Sequence, residues 1–154
     1  MGFFVSFCIL MIICLFGWFL HKKTIKKLIF YTNFLQFAKN ALTEIEYYQN
    51  KLPNIISKQN FSGEFSVVLQ NYKNDNLECL NSFSFLSSEE KNEVKNFFKK
   101  LGRTNVENER KDIGEFIKVI NSKIDDIKLV GIKKSKLRFN LMIMFGLFVF
   151  IILI

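Results

Sequence analysis

Two charge-free apolar runs at opposite ends of the chain, each bordered on its inner side by lysines, constrain this sequence most. Gly2 to Leu20 holds no ionisable side chain apart from Cys8 and Cys14, and Phe139 to Ile154 holds none. As helices they extend about 28 Å and about 24 Å at the usual rise, against a hydrocarbon core of roughly 30 Å. Each is therefore predicted as a transmembrane helix, over 2–20 and 139–154. The second is short and carries Asn140, a mismatch that bilayer thinning and lysine or arginine side chains reaching back to the interface can absorb. A helix packed on protein is the competing reading of that run, and the basic residues before it favour a span. A signal peptide is the competing reading of the first. It would need positive charge ahead of a shorter apolar stretch and a small-residue cleavage site. Here the positive charges follow, and Trp18 stands near the inner boundary, where amphipathic aromatics settle. The run reads as an uncleaved anchor.

The basic residues set the topology. Lys22, Lys23, Lys26 and Lys27 follow the first run, and Lys133, Lys134, Lys136 and Arg138 precede the second. Positive charge beside a span stays in the cytoplasm. Both collars then lie on the inner face, and residues 21–138 form a cytoplasmic helical domain between two spans. The charge balance agrees. The chain carries +8 at pH 7, yet residues 28–127 hold 13 basic and 14 acidic side chains. A nucleic-acid binder would carry its positive excess on the folded head. The expected partner is therefore a lipid bilayer and not nucleic acid.

Chemistry-bearing patterns are missing from the sequence. Cys8, Cys14 and Cys79 form no CxxC pair, and His21 is the one histidine. An odd, unpatterned count argues against a disulfide framework or a zinc site, and His21 reads as an interfacial polar residue. There is no GxxxxGK[ST] or GxGxxG loop, and no GxSxG elbow or histidine-based triad. Neither apolar run contains a carboxylate that could relay protons. Glu44 and Glu46, two apart on a helix, do not share a face and read as solvated charges. No enzymatic activity, cofactor or metal is expected.

The interior reads as all-α. From Thr24 to Gln49, Ile25, Leu28, Leu35, Ala38, Leu42 and Ile45 recur mostly at helical steps, and nothing marks a break at Leu20. Pro53 suits the first turn of a short helix to Lys58. Ser62 is a candidate cap for a helix carrying Phe65, Val68, Leu69 and Tyr72. The asparagine-rich 71–76 stretch favours a loop. Leu77 to Leu86 reads as a short helix or packed loop, because a lone strand would have no sheet to join. Ser87 with Glu90 forms a capping box for a helix with Val94, Phe97, Phe98 and Leu101 on its apolar face. Lys99 and Lys100 suit its last turn, and Gly102 suits the position after it. Thr104 with Glu107 is the next predicted capping box, so two helices meet in a tight corner. Val106, Ile113, Ile117, Ile120, Ile124 and Ile127 then mark an apolar seam. Its last five members have the 3.5-residue repeat of a coiled coil. The seam leaves open pairing within the chain or between copies, as in a homo-oligomer. Gly131, which costs a helix about 1 kcal/mol, is a candidate hinge. Gly17 and Gly146 each stand in an apolar run where helices could approach closely. The simplest burial of both stripes is an antiparallel stalk of 24–49 against 105–130, with 53–101 as a distal helical cap.

The corner carries a resemblance. Leu101, Gly102, Arg103, Thr104 and Asn105, with Glu109 and Ile113 beyond, resemble the signature of the stage III sporulation protein AB family. That family usually shows Leu-Gly, a Ser, an Asp, then a Gln and a later aliphatic residue. Here Thr104 replaces the Ser, Asn105 the Asp and Glu109 the Gln. Leu42, Glu44, Ile45 and Tyr47, followed by Leu52-Pro53, are similar to a second family segment, with Lys51 in place of a proline. The resemblance covers the whole chain. It implies a subunit of the channel complex linking mother cell and forespore, similar in its head to the helical platform protein of type II secretion and pilus machines. The implied partners are the complex's secretion-type ATPase and its other membrane subunits. The implied location is the mother-cell membrane around the forespore. The competing readings are a pore-forming membrane hairpin and a membrane-anchored coiled-coil scaffold, both unrelated to sporulation.

Overall fold

The structure is a computed structural model, which describes residues 2–45, 61, 63–73, 77–103 and 105–153. Among these the regular structure is entirely helical. Helix α1 spans Gly2–Thr43, α2 Glu64–Lys73, α3 Ser88–Lys100, α4 Val106–Asp126 and α5 Ile132–Leu153. A 3₁₀ helix covers Glu78–Ser82, and a π-helical turn, Ile127–Gly131, joins α4 to α5. The predicted all-α class is what the chain adopts. The predicted Pro53–Lys58 helix, the Ser62 cap and residues 74–76 lie outside the described residues. The chain divides into two compact units, one of residues 27–124 and one of residues 1–26 with 125–154.

The 27–124 unit is built around phenylalanine. On α1, Phe30, Tyr31, Phe34, Phe37, Ala38, Ala41 and Ile45 are buried, and their three- and four-residue steps put them on one face. The sequence reading placed Ile25, Leu28, Leu35, Ala38, Leu42 and Ile45 on this face; Ala38 and Ile45 are buried there, whereas Ile25, Leu28, Leu35 and Leu42 are only half-buried. The aromatic rings bury the larger apolar area, so the helix turns them inward and leaves the aliphatic residues on the flank. Facing them are Phe65, Val68 and Leu69 of α2, Leu80 of the 3₁₀ helix, Val94, Phe97 and Phe98 of α3, and Ile113, Ile120 and Ile124 of α4. Ring centroids lie 5.6 Å apart for Phe30–Phe65, 5.1 Å for Phe34–Phe97 and 5.1 Å for Phe34–Phe116.

Three other expectations change here. The segment expected as a distal cap packs along the flank of α1: Phe83 and Phe85 meet Phe30, and Glu90 bonds to Lys27 at 2.7 Å. A phenylalanine face several turns long needs lateral cover, which a cap at one end could not supply. Asn71 and Lys73, assigned to a loop, are the last turn of α2, where the Asn71 amide donates to the Val67 carbonyl. Val106, placed in the apolar seam, is 52% exposed. It is the first residue of α4, where the chain has only just left the corner. Farther along, Ile113, Ile120 and Ile124 are buried within the chain itself, so these positions of the seam are core.

The other unit pairs the N-terminal half of α1 with α5. Gly17 faces Phe139 and Met142, and Gly146 faces Ile13. His21 Nδ1 and Ser135 Oγ are 3.1 Å apart, and Gly131 lies beside Thr24. Contacts that climb α1 descend α5, so the helices are antiparallel. Gly17 and Gly146 are buried on their inner faces. Outward stand Phe7, Ile12, Phe16, Phe19, Leu141, Phe145, Phe148 and Ile152, all largely exposed. Both long helical runs are long and apolar enough to cross a membrane.

Candidate functional site

Local bonds fix both ends of α3 and the start of α4, and so the corner between them. Ser87 starts α3: its hydroxyl accepts from the Glu90 N–H, and the Glu90 carboxylate accepts from the Ser87 N–H. This is the reciprocal capping box expected from the sequence. Leu101 ends the helix, its N–H donating to the Phe97 carbonyl. Gly102 takes φ of +78°, a left-handed conformation that suits glycine because it lacks a Cβ. Asn105 then starts α4, its side-chain oxygen accepting from the Asn108 N–H at 3.1 Å. The cap is therefore Asn105, whereas Thr104 was expected and lies outside the described residues. Asn supplies the short side-chain acceptor that a helix N-cap needs.

Glu109 ties the corner together. It is only 8% exposed, and its carboxylate accepts from the Gly102 N–H. That bond satisfies a backbone donor beyond the end of α3 and locks the first turn of α4 to the last of α3. A glutamine carbonyl could accept the same bond.

Beside the corner, α3 and α4 enclose an open groove of about 320 Å³. Phe97, Leu101, Ile113, Phe116 and Val119 give it an apolar floor, and Glu93, Glu109, Asp112, Glu115 and Lys100 stand around it. Four carboxylates against one ammonium leave the rim acidic. Glu93 is bonded to Lys123 of α4, which braces the two helices across the unit. The arrangement offers an apolar slot and negative charge, suited to an apolar side chain flanked by cations. Among the described residues no three histidine, cysteine or carboxylate side chains are grouped to hold a metal ion.

Of the corner motif, Leu101 floors the groove and Glu109 lines it, Gly102 binds Glu109, and Arg103 and Asn105 are exposed beside it. The sequence reading did not single out Glu93, Asn96, Glu115, Phe116 or Val119 of the groove. Phe116 was hidden next to the regular isoleucine seam, and Val119 is an exposed residue with no pattern of its own.

The basic residues divide between the units. Lys27 belongs with residues 27–124 and pairs with Glu90. Burial pushes the Glu90 carboxyl up, but the Lys27 ammonium and the Ser87 N–H outweigh it and hold it below its usual range. Tyr31 is buried beside these groups. Burial, with Glu90 and Glu93 nearby, pushes this phenol well up. Lys22, Lys23, Lys26, Lys133, Lys134, Lys136 and Arg138 fall in the other unit. There Lys22 lies over the Trp18 ring at 4.8 Å and Lys23 over the Phe19 ring at 5.0 Å.

A family model described as stage III sporulation protein AB matches residues 2–154. No curated protein and no solved structure matches the chain.

Proposed function

The chain belongs to the stage III sporulation protein AB family, and from that premise we propose that it is a non-enzymatic membrane platform of the mother cell–forespore channel. Its apolar helices anchor it in the mother-cell membrane around the forespore, and its phenylalanine-cored unit stands in the cytoplasm. The outward apolar surface of 2–20 and 139–154 supports the anchoring, and the collars of lysine and arginine support the orientation.

The observation that carries the platform reading is the groove at the α3–α4 corner, built in part from Leu101 and Glu109 of the family motif. Its acidic rim and apolar floor fit a segment in which an aliphatic or aromatic anchor is flanked by lysine or arginine. The segment is assigned to the channel's secretion-type ATPase, which the platform holds in register with the membrane subunits. Interface anchors of this kind concentrate binding energy in one desolvated pocket.

A photocrosslinking residue at Val119 in sporulating cells should yield an adduct with the ATPase, and Asp112→Lys with Glu115→Lys should abolish it. An adduct formed only with some other subunit would assign the groove to that subunit and refute the ATPase assignment. Deletion of the gene should arrest forespore development after engulfment, and normal spore yield would refute the platform role.

A further inference from the structure

Where α1 and α5 pass each other beside Gly17, the pair leaves a cleft of about 210 Å³. Gly17, Leu20, Phe139 and Met142 form its apolar side, while Lys23, Thr24, Ser135 and Arg138 form its polar lip. The glycine opens the cleft: a Cβ on Gly17 would come within 3.0 Å of the Phe139 ring. Ser135 is held in place by the His21 ring, 3.1 Å from its hydroxyl. Neither Lys23 nor Arg138 has a carboxylate partner among the described residues. The sequence explains why, since residues 1–43 and 127–154 contain no Asp or Glu. The cleft thus joins two uncompensated cations and two hydroxyls to a greasy wall, at the level where Trp18 and Phe19 stack under lysine ammoniums.

We propose that this cleft binds the phosphate of an anionic phospholipid, with Arg138 and Lys23 on the phosphate oxygens and an acyl chain along Leu20 and Met142. Arginine presents a planar fork that matches phosphate oxygens, and lysine adds a mobile point charge. Basic pockets between membrane helices on the cytoplasmic side are natural headgroup sites. A zwitterionic lipid carries the same phosphate, but its own ammonium competes with Lys23 and Arg138, so anionic lipids are selected. The proposal rests on the membrane reading above, and it adds a lipid requirement that the anchor alone does not need.

The test uses the full-length protein purified from membranes, with native mass spectrometry reading retained lipid. The wild type should retain phosphatidylglycerol in preference to phosphatidylcholine. Lys23→Gln with Arg138→Gln should lower that retention on the order of tenfold, whereas Lys133→Gln with Lys134→Gln, equal in charge loss but outside the cleft, should not. Arg138→Lys keeps the charge and should restore part of it. Equal loss in the two double variants would mean a diffuse charge effect and overturn the site. Displacement of the lipid by millimolar inorganic phosphate would mean a free-anion site and overturn the lipid assignment. Carbonate extraction of the same membranes separates the two readings. Release into the soluble fraction would overturn the anchor and this proposal together, while carbonate-resistant protein without lipid preference would overturn this proposal alone.

Discussion

Phe34→Ala should remove much of the stability of the 27–124 unit. Phe34 is 0% exposed, and its ring meets five others: Phe30 at 6.1 Å, Phe65 at 5.3 Å, Phe97 at 5.1 Å, Phe98 at 5.7 Å and Phe116 at 5.1 Å. These rings come from α1, α2, α3 and α4, so one side chain joins all four helices. A buried Phe removes at least about 150 Å² from water, worth about 4 kcal/mol at 25 cal/mol per Å², of which alanine keeps about 1. A residual void of roughly 80 Å³ would add about 2 kcal/mol. The sum, about 5 kcal/mol, is at the top of the usual range for Phe→Ala and comparable to the whole stability of a small domain. Phe34→Leu fills most of the space and should cost about 1–2 kcal/mol. Urea unfolding of the full chain in detergent, followed by near-ultraviolet circular dichroism of the aromatic core, reads both. A loss under about 1 kcal/mol for Phe34→Ala would refute the claim that this ring joins the helices.

Gly17→Ile should separate α1 from α5, because even a Cβ meets Phe139 at 3.0 Å, while Gly146→Ala should be tolerated, its Cβ meeting Ile13 at an ordinary 3.6 Å. Disulfide formation between cysteines at positions 21 and 135, with the native cysteines replaced, should fall only in the Gly17 variant. The depressed Glu90 carboxyl contributes stability that is present above about pH 4.3, the usual glutamate value, and is lost as pH falls through its lower folded value. Glu90→Gln should therefore flatten the acid limb of a stability–pH curve. The raised Tyr31 phenol works at the other end, holding its contribution below about pH 10 and losing it as pH climbs further. Tyr31→Phe should flatten that alkaline loss. Gly131→Ala should stabilise the helix by up to about 1 kcal/mol, since its Cβ would meet Thr24 and Ile127 only at 3.6 Å. If a bend at Gly131 serves sporulation, spore yield should drop despite the gain, and an unchanged yield would remove the hinge.

Local and periodic features of this protein were legible in the sequence. Charge-free runs at both ends, the basic clusters beside them, the Ser87–Glu90 capping box and the Gly102 turn each depend on residues close together in the chain. The corner motif carried the family for the same reason: a helix end, a glycine and a new cap act within a few residues. Tertiary structure decided which of several apolar residues on a helix face inward. Leu28, Leu35 and Leu42 have as regular a spacing as Phe30, Phe34 and Phe37, and only rings arriving from α2, α3 and α4 favour the aromatic face. It also decided that Ile113, Ile120 and Ile124 are core, since a seven-residue repeat suits a partner in the same chain or another equally well. The groove beside Glu109 and the cleft beside Gly17 belong wholly to that level. Each brings together side chains from two helices, consecutive ones at the groove and ones from opposite ends of the chain at the cleft, and a void is a property of how helices meet rather than of either helix alone.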